Sequence, residues 1–145
     1  MAAAVSVLLE RKNQTIFSVS PESSIYEAGR IMAEKKIGVV VVLEGKRVAG
    51  ILSERDIVRK VVIEEQCTKE CPVGEIMTEE VVNVAPNDTI EQCMAIMTEK
   101  KFRHLTVMDN GELVGIISIG DLVKFIIDEK DTTIRQYQKY IYDEW

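Results

Sequence analysis

The chain has 145 residues, 46% hydrophobic and 29% charged, which suits a soluble folded domain and excludes an intrinsically disordered one. A net charge of −6, with a pI near 4.9, argues against a general nucleic-acid binder, because phosphate contact needs clustered Lys and Arg. The longest apolar run, Val39 to Leu43, is far short of a membrane span, no secretory signal opens the chain, and three Cys without a disulfide framework point to a reducing cytoplasm.

Val5, Leu8 and Leu9 predict a short helical turn packing on the body of the protein. A short strand follows over Ile16 to Val19, then Pro21, then a helix. Ser24 and Glu27 form a capping-box pattern at its start, and Ile25, Ala28 and Met32 lie on one stripe. Lys35 and Lys36 suit its C-terminal dipole. Ile37 to Leu43 is uniformly apolar, as in a strand buried on both faces. Glu44-Gly45-Lys46 turns the chain into a returning strand, Arg47 to Leu52. A second helix then places Ile57, Val58, Val61 and Val62 on its inner side.

The order β-α-β-β-α then starts again. Val81 to Val84 is the strand and Pro86 the break; Thr89 with Gln92 is the cap, and Ile90, Cys93 and Met97 are the stripe. Asp109-Asn110-Gly111 gives a stronger hairpin signal, and Leu122, Val123, Ile126 and Ile127 line the last helix of the unit. Gly50-Ile51-Leu52-Ser53 with Asp56 returns as Gly115-Ile116-Ile117-Ser118 with Asp121, at the constant offset of 65 that relates all these pairs. Two copies are too few for a solenoid and suit two halves facing each other across a pair of clefts. The expected organisation is an N-terminal flank plus first repeat over 1–64, a linker over 65–75, a second repeat over 76–128 and an amphipathic C-terminal helix over 129–145. In that helix Ile134, Tyr137, Ile141 and Trp145 share an apolar face that either covers the module's own core or, the favoured reading, contributes to dimerisation.

Cys67 and Cys71, in the linker, are read as free thiols, with a redox or metal role as the alternative. His104 is the only His, and no second Cys pair completes a metal site, so no metal is expected. Cys93 stands where the first copy has Ala28 and is read as a small core residue.

The repeated Gly-x-x-Ser-x-x-Asp sits where a strand ends and a helix begins. A helix N-terminus suits a phosphate, a glycine admits a planar base or sugar close to the backbone, and a carboxylate accepts from the paired hydroxyls of a ribose. Ser-x-x-Asp is also a capping box, in which the Asp reaches back to the Ser N–H. From the residues alone both readings stand.

The duplicated unit resembles the CBS domain, named after cystathionine β-synthase, over about residues 15–63 and 80–128, and is similar to small stand-alone bacterial CBS-domain proteins. The resemblance implies an α+β (mixed α/β) fold of two β-α-β-β-α repeats related by pseudo-two-fold symmetry and packed through their sheets. It implies an adenine-nucleotide ligand, AMP or NAD(H) first and ATP next, with Asp56 and Asp121 holding the ribose. Ser53 and Ser118 would support them, and Ile51 and Ile116 would line the clefts. Arg103 and His104 replace Gly38 and Val39 of the first copy at a strand position where related pairs meet phosphates, so the two clefts are expected to differ. Arg55, replaced by Gly120, is either a second phosphate contact or a solvated first-turn residue. Thr106 stands where many relatives carry Pro and is expected to alter a strand edge.

The single His lacks a nearby nucleophile pattern, and there is no Walker loop or clear acid-base carboxylate pair, so the chain is read as a non-enzyme without a catalytic cofactor. The expected function is a regulatory module that senses cellular energy or redox state by shifting conformational populations. It would act as a homodimer on a regulated enzyme or transporter, with no nucleic-acid or membrane partner. Two alternatives are a structural dimerisation or docking module without ligand, and a redox-linked regulator acting through Cys67 or Cys71.

Overall fold

The computed structural model of the chain describes residues 3–12 and 15–130. In chain order the elements are α1 (Val5–Lys12), β1 (Ser18–Val19), α2 (Ile25–Lys35), β2 (Val39–Glu44), β3 (Arg47–Ser53), α3, β4 (Asn83–Val84), α4 (Ile90–Lys100), β5 (His104–Asp109), β6 (Glu112–Ser118) and α5 over 119–130. Helix α3 opens with one α-turn, Glu54–Asp56, and widens into π-type winding over Ile57–Ile63, where the Glu64 N–H reaches back to the Arg59 carbonyl at 2.9 Å. The proposed C-terminal helical stripe beyond residue 130 lies outside the described residues.

Matching local signals produce matching elements. The Ser24 hydroxyl accepts the Glu27 N–H at the start of α2, and Thr89 and Gln92 exchange both bonds of a capping box at the start of α4. Both helices end on a lysine in the left-handed region, Lys36 at φ 56° and Lys101 at φ 59°. Each half then forms a three-stranded sheet with β2 or β5 in the middle, flanked by a parallel two-residue strand and an antiparallel returning strand. The β2–β3 register shifts between Val42 and Leu43, and the β5–β6 register shifts at the equivalent place, between Val107 and Met108. Thr106 is therefore in a central strand, not at an edge. It is buried, with its hydroxyl on the Val82 carbonyl and the Asn83 side chain.

Each middle strand is covered on both sides. Val40 and Val42 pack with α2, whereas Val41 points the other way and is still buried; Leu105 and Val107 flank the buried Thr106 in the same manner. Burial on the face away from a sheet's own helix is what two sheets meeting across the halves produce. The second helices correct one expectation. Val58, Val62, Val123 and Ile127 are exposed, and the inward side belongs to Ile57 and Val61 in α3 and to Leu122, Phe125 and Ile126 in α5.

The segments preceding the repeats cross over. Val5 and Leu8 of α1 are buried in the core of the second half, with Ile90, Met97, Leu105 and Phe125. Burying two such side chains stabilises the fold by about 1.5–3 kcal/mol each. Val73 and Ile76, which lie just ahead of the second repeat, are buried in the core of the first half, with Ile25, Met32 and Leu52. The backbone contacts match: Ile90 N–H donates to the Ala3 carbonyl at 3.0 Å, and Ile25 N–H donates to the Cys71 carbonyl at 3.0 Å. These arms are related by an offset of 68 (Ala3 and Cys71), whereas the helix starts they touch are related by 65 (Ile25 and Ile90). The first arm forms a full helix, and the second only a 3-10 turn, Val73–Glu75.

Cys67 and Cys71 are not free. They form a disulfide, and Cys93 is the free thiol, buried in the second core. Burial, assisted by the nearby Asp88 charge, pushes the Cys93 thiol up to about 11, as suits an inert core residue. Among the described residues no helix is long and apolar enough to cross a membrane.

Candidate functional site

The Gly-x-x-Ser-x-x-Asp elements stand at the junctions of β3 with α3 and of β6 with α5. In the first, Asp56 Oδ2 accepts from the Ser53 N–H at 3.1 Å and the Ser53 hydroxyl at 3.1 Å, while Ser53 Oγ accepts the Asp56 N–H at 3.1 Å. In the second, Asp121 Oδ2 accepts the Ser118 N–H at 2.9 Å and Ser118 Oγ accepts the Asp121 N–H at 3.0 Å. The capping role is thus real in both copies. It occupies Oδ2 and leaves Asp56 Oδ1 with long contacts only: the Thr78 hydroxyl at 3.3 Å, Lys60 at 3.7 Å and Arg59 at 3.8 Å.

A cleft of about 560 Å³ opens beside Asp56. Ile51, Ser53, Arg55 and Asp56 come from the first half; Thr78, Arg103 and His104 come from the linker and the second half. Four cationic side chains, Arg55, Arg59, Lys101 and Arg103, share this cleft with the acids Glu54, Asp56 and Glu80. The mixture suits a ligand carrying both hydroxyls and an anionic group.

The cleft beside Asp121 is smaller, about 350 Å³, and is lined by Ile116, Ser118, Asp121 and His104 together with Thr15, Phe17, Ile37 and Gly38 of the first half. It already holds a cation. Lys12, the last residue of α1, donates to Asp121 Oδ2 at 2.7 Å and to the Ile116 carbonyl at 2.7 Å. Burial alone would raise the Asp121 carboxyl, but the Lys12 and Ser118 bonds and the Lys12 charge outweigh it and hold the group below its ordinary range. His104 borders both clefts, since it opens β5 opposite Ser118 and faces Asp56 across the other opening. Burial pulls His104 below its ordinary value, and Lys12 and Arg103 push the same way against the opposing charges of Asp121 and Asp56.

The structure therefore distributes the nine site candidates over two clefts: Ile51, Ser53, Asp56, Arg55 and Arg103 in one, Ile116 and Asp121 in the other, and Ser118 and His104 bordering both. Sequence reasoning missed Lys12 and Thr78, which belong to the crossed-over arms. It did not foresee the protein neighbours of the motif glycines. A Cβ on Gly50 would stand 2.6 Å from the Thr78 carbonyl, and one on Gly115 would stand 2.6 Å from Leu9. Both glycines admit the chain's own arms, and Ile51 and Thr78 exchange backbone bonds at 3.0 and 2.8 Å beside Gly50.

The family model of the CBS domain matches residues 12–63 and 73–128. The chain belongs to the CBS domain family. A protein with CBS domains from Burkholderia ambifaria MC40-6 superposes with a TM-score of 0.81 at 45% identity, over 87% of this chain and 95% of that one. A CBS domain protein from Pyrobaculum aerophilum, solved in complex with AMP, gives a TM-score of 0.72 at 28% identity, over 82% and 89% of the two chains. The mitochondrial CBS domain-containing protein CBSX3 of Arabidopsis thaliana is 32% identical over 125 residues, 83% of this chain. The chain spans 61% of that relative's length. The fold is thus the mixed α+β architecture of a CBS pair.

Proposed function

We propose that this CBS pair is a non-catalytic regulatory module that binds an adenine nucleotide in the cleft beside Asp56. AMP and NAD(H) come first and ATP next. The observation that carries the reading is Asp56 itself: it lines a cleft with Arg55, Arg103 and His104, its Oδ2 is committed to the cap, and its Oδ1 makes only long contacts. A ribose hydroxyl pair at Oδ1 and phosphate oxygens at the arginines fit that arrangement. The AMP complex of the Pyrobaculum relative supports the ligand class. Because the cleft is built from both halves, a bound nucleotide favours one packing of the halves and transmits its presence by population shift.

The module acts as a homodimer through the outer faces of α3 and α5. Val58 and Val62 are exposed on one, and their equivalents Val123 and Ile127 on the other. Apolar residues exposed in matched positions suit a self-complementary contact. We place the module in the cytoplasm, reporting energy or redox state to an enzyme or transporter.

Calorimetric titration of AMP, ATP and NADH tests the reading. Saturable binding that Asp56→Ala weakens tenfold or more supports it. Silence from all three nucleotides, with the dimer intact, would favour the docking module without a ligand.

A further inference from the structure

The segment between the repeats carries chemistry that nucleotide binding does not use. Cys67 and Cys71 are half-buried and joined, with Cα atoms 6.1 Å apart, a separation ordinary for a disulfide. Their surroundings differ. Cys71 Sγ lies 3.3 Å from the Thr68 N–H and 3.7 Å from its hydroxyl. Cys67 Sγ lies 3.1 Å from a Glu75 carboxylate oxygen. An N–H donor stabilises a thiolate, and a carboxylate opposes one. Cys71 is therefore the better leaving group, and an attacking thiolate is directed to Cys67.

We propose that Cys67 and Cys71 form a reversible thiol–disulfide exchange site for low-molecular-weight thiols and disulfides of the glutathione class. In the oxidising direction a Cys67 thiolate attacks the external disulfide and expels one thiolate. The Cys71 thiolate then attacks the mixed disulfide at Cys67 and expels the second. Two protein thiols and one external disulfide become one protein disulfide and two external thiols, and no further oxidant enters. In the reducing direction an external thiolate attacks Cys67 and Cys71 departs; a second external thiolate then attacks the outer sulfur of the mixed disulfide, releasing the Cys67 thiolate and one external disulfide.

The state of this bond reaches the first half of the molecule. The Cys71 carbonyl accepts the Ile25 N–H at 3.0 Å, and the Lys69 carbonyl accepts the Tyr26 N–H at 2.8 Å, so the loop closed by the disulfide caps the first turn of α2. The same strand of chain continues through the buried Val73 and Ile76 to Thr78, on the Asp56 carboxylate. Opening the bond enlarges the set of conformations open to the loop and weakens its hold on α2.

The test uses the full chain, first reduced with dithiothreitol and then equilibrated with oxidised glutathione. Thiols are counted by alkylation in denaturant with mass detection. One alkylated thiol after oxidation, Cys93, and three after re-reduction support the proposal. Three after oxidation, or a mixed disulfide with glutathione that persists on Cys67, overturns it. The rival use of the same sulfurs, with Glu75, is a metal ion; one equivalent of zinc in the reduced protein that blocks oxidation also overturns it. Hydrogen exchange supplies the structural readout. Amides at 68–71, Val73, Ile25 and Tyr26 are expected to exchange about tenfold faster or more in the reduced protein. Equal exchange in the two states overturns the coupling to α2, and none of these readings depends on nucleotide binding.

Discussion

Lys12 Nζ stands 2.7 Å from Asp121 Oδ2, while the equivalent oxygen of Asp56 faces only neutral donors, the Ser53 N–H and hydroxyl and the Thr78 hydroxyl. The first helix gives Asp121 a direct charged bond, whereas the buried Asp56 has its nearest cations, Lys60 and Arg59, only at 3.7 and 3.8 Å. Duplication made the two sites, and the arm preceding the first repeat made them unequal.

Lys12→Ala should release the second cleft. Wild type is expected to take one nucleotide per chain and the variant two, read as stoichiometry by calorimetry. Asp56→Ala should weaken the wild-type event tenfold or more, since a hydrogen bond to a charged group is worth roughly 1.5–3 kcal/mol. Asp121→Ala should leave that first event within about threefold. Equal losses from the two aspartates would contradict the inequality of the sites.

His104 is the only histidine, so its titration can be followed by proton NMR without assignment. Its midpoint should fall below the ordinary 6.5, because burial and the Lys12 and Arg103 charges disfavour the imidazolium. Native His104 then stays neutral where the unfolded chain is already protonated. Its contribution to stability is present above the ordinary value and declines as pH falls from there toward the folded midpoint. Saturating AMP should move the midpoint upward, as a phosphate beside the ring favours its charged form.

Asp121 has the opposite charge type and the same direction of shift. Its folded carboxyl lies below the ordinary 3.8, so the Lys12 pair stabilises the fold above that value. The contribution declines as pH falls through the folded midpoint. Acid denaturation followed by circular dichroism should begin at higher pH in Lys12→Met than in wild type. The two proteins should differ less at pH 3 than at pH 6.

The two motif glycines should respond differently to a methyl group. Gly50→Ala drives a Cβ against the Thr78 carbonyl, part of a paired backbone that must shift, and should cost about 1–3 kcal/mol in denaturant unfolding. Gly115→Ala meets the tip of Leu9, which can rotate, and should cost less. Gly115→Ala with Leu9→Ala should recover part of the loss.

Much of this was legible because both copies carry the same signals. The caps at Ser24 and Thr89 and the aspartates at 56 and 121 each have an equivalent that limits how they can be read. The crossed-over arms had no such signal. At the repeat offset of 65, Leu9 and Lys12 fall on Gly74 and Met77 and nothing matches; the likeness of Val5, Leu8 and Leu9 to Val73, Ile76 and Met77 appears only at the arms' own offset of 68. Periodicity therefore assigned α1 to the module without saying which half it completes. Val58 and Val62 were placed inward by apolarity, yet the π-type winding of α3 departs from the 3.6-residue period on which a helical stripe is read. A four-residue spacing could not decide between thiols and a disulfide at Cys67 and Cys71, because that choice depends on how the loop folds back onto α2.

The exchange of arms also makes the two halves mutually dependent in folding. Cutting the chain after residue 66 yields a front piece whose own sheet lacks Val73 and Ile76, and a rear piece deprived of Val5 and Leu8. Each fragment carries the missing plug of the other, so they should be poorly ordered apart and regain structure when mixed. Thermal melting of the intact chain should accordingly pass through a single transition.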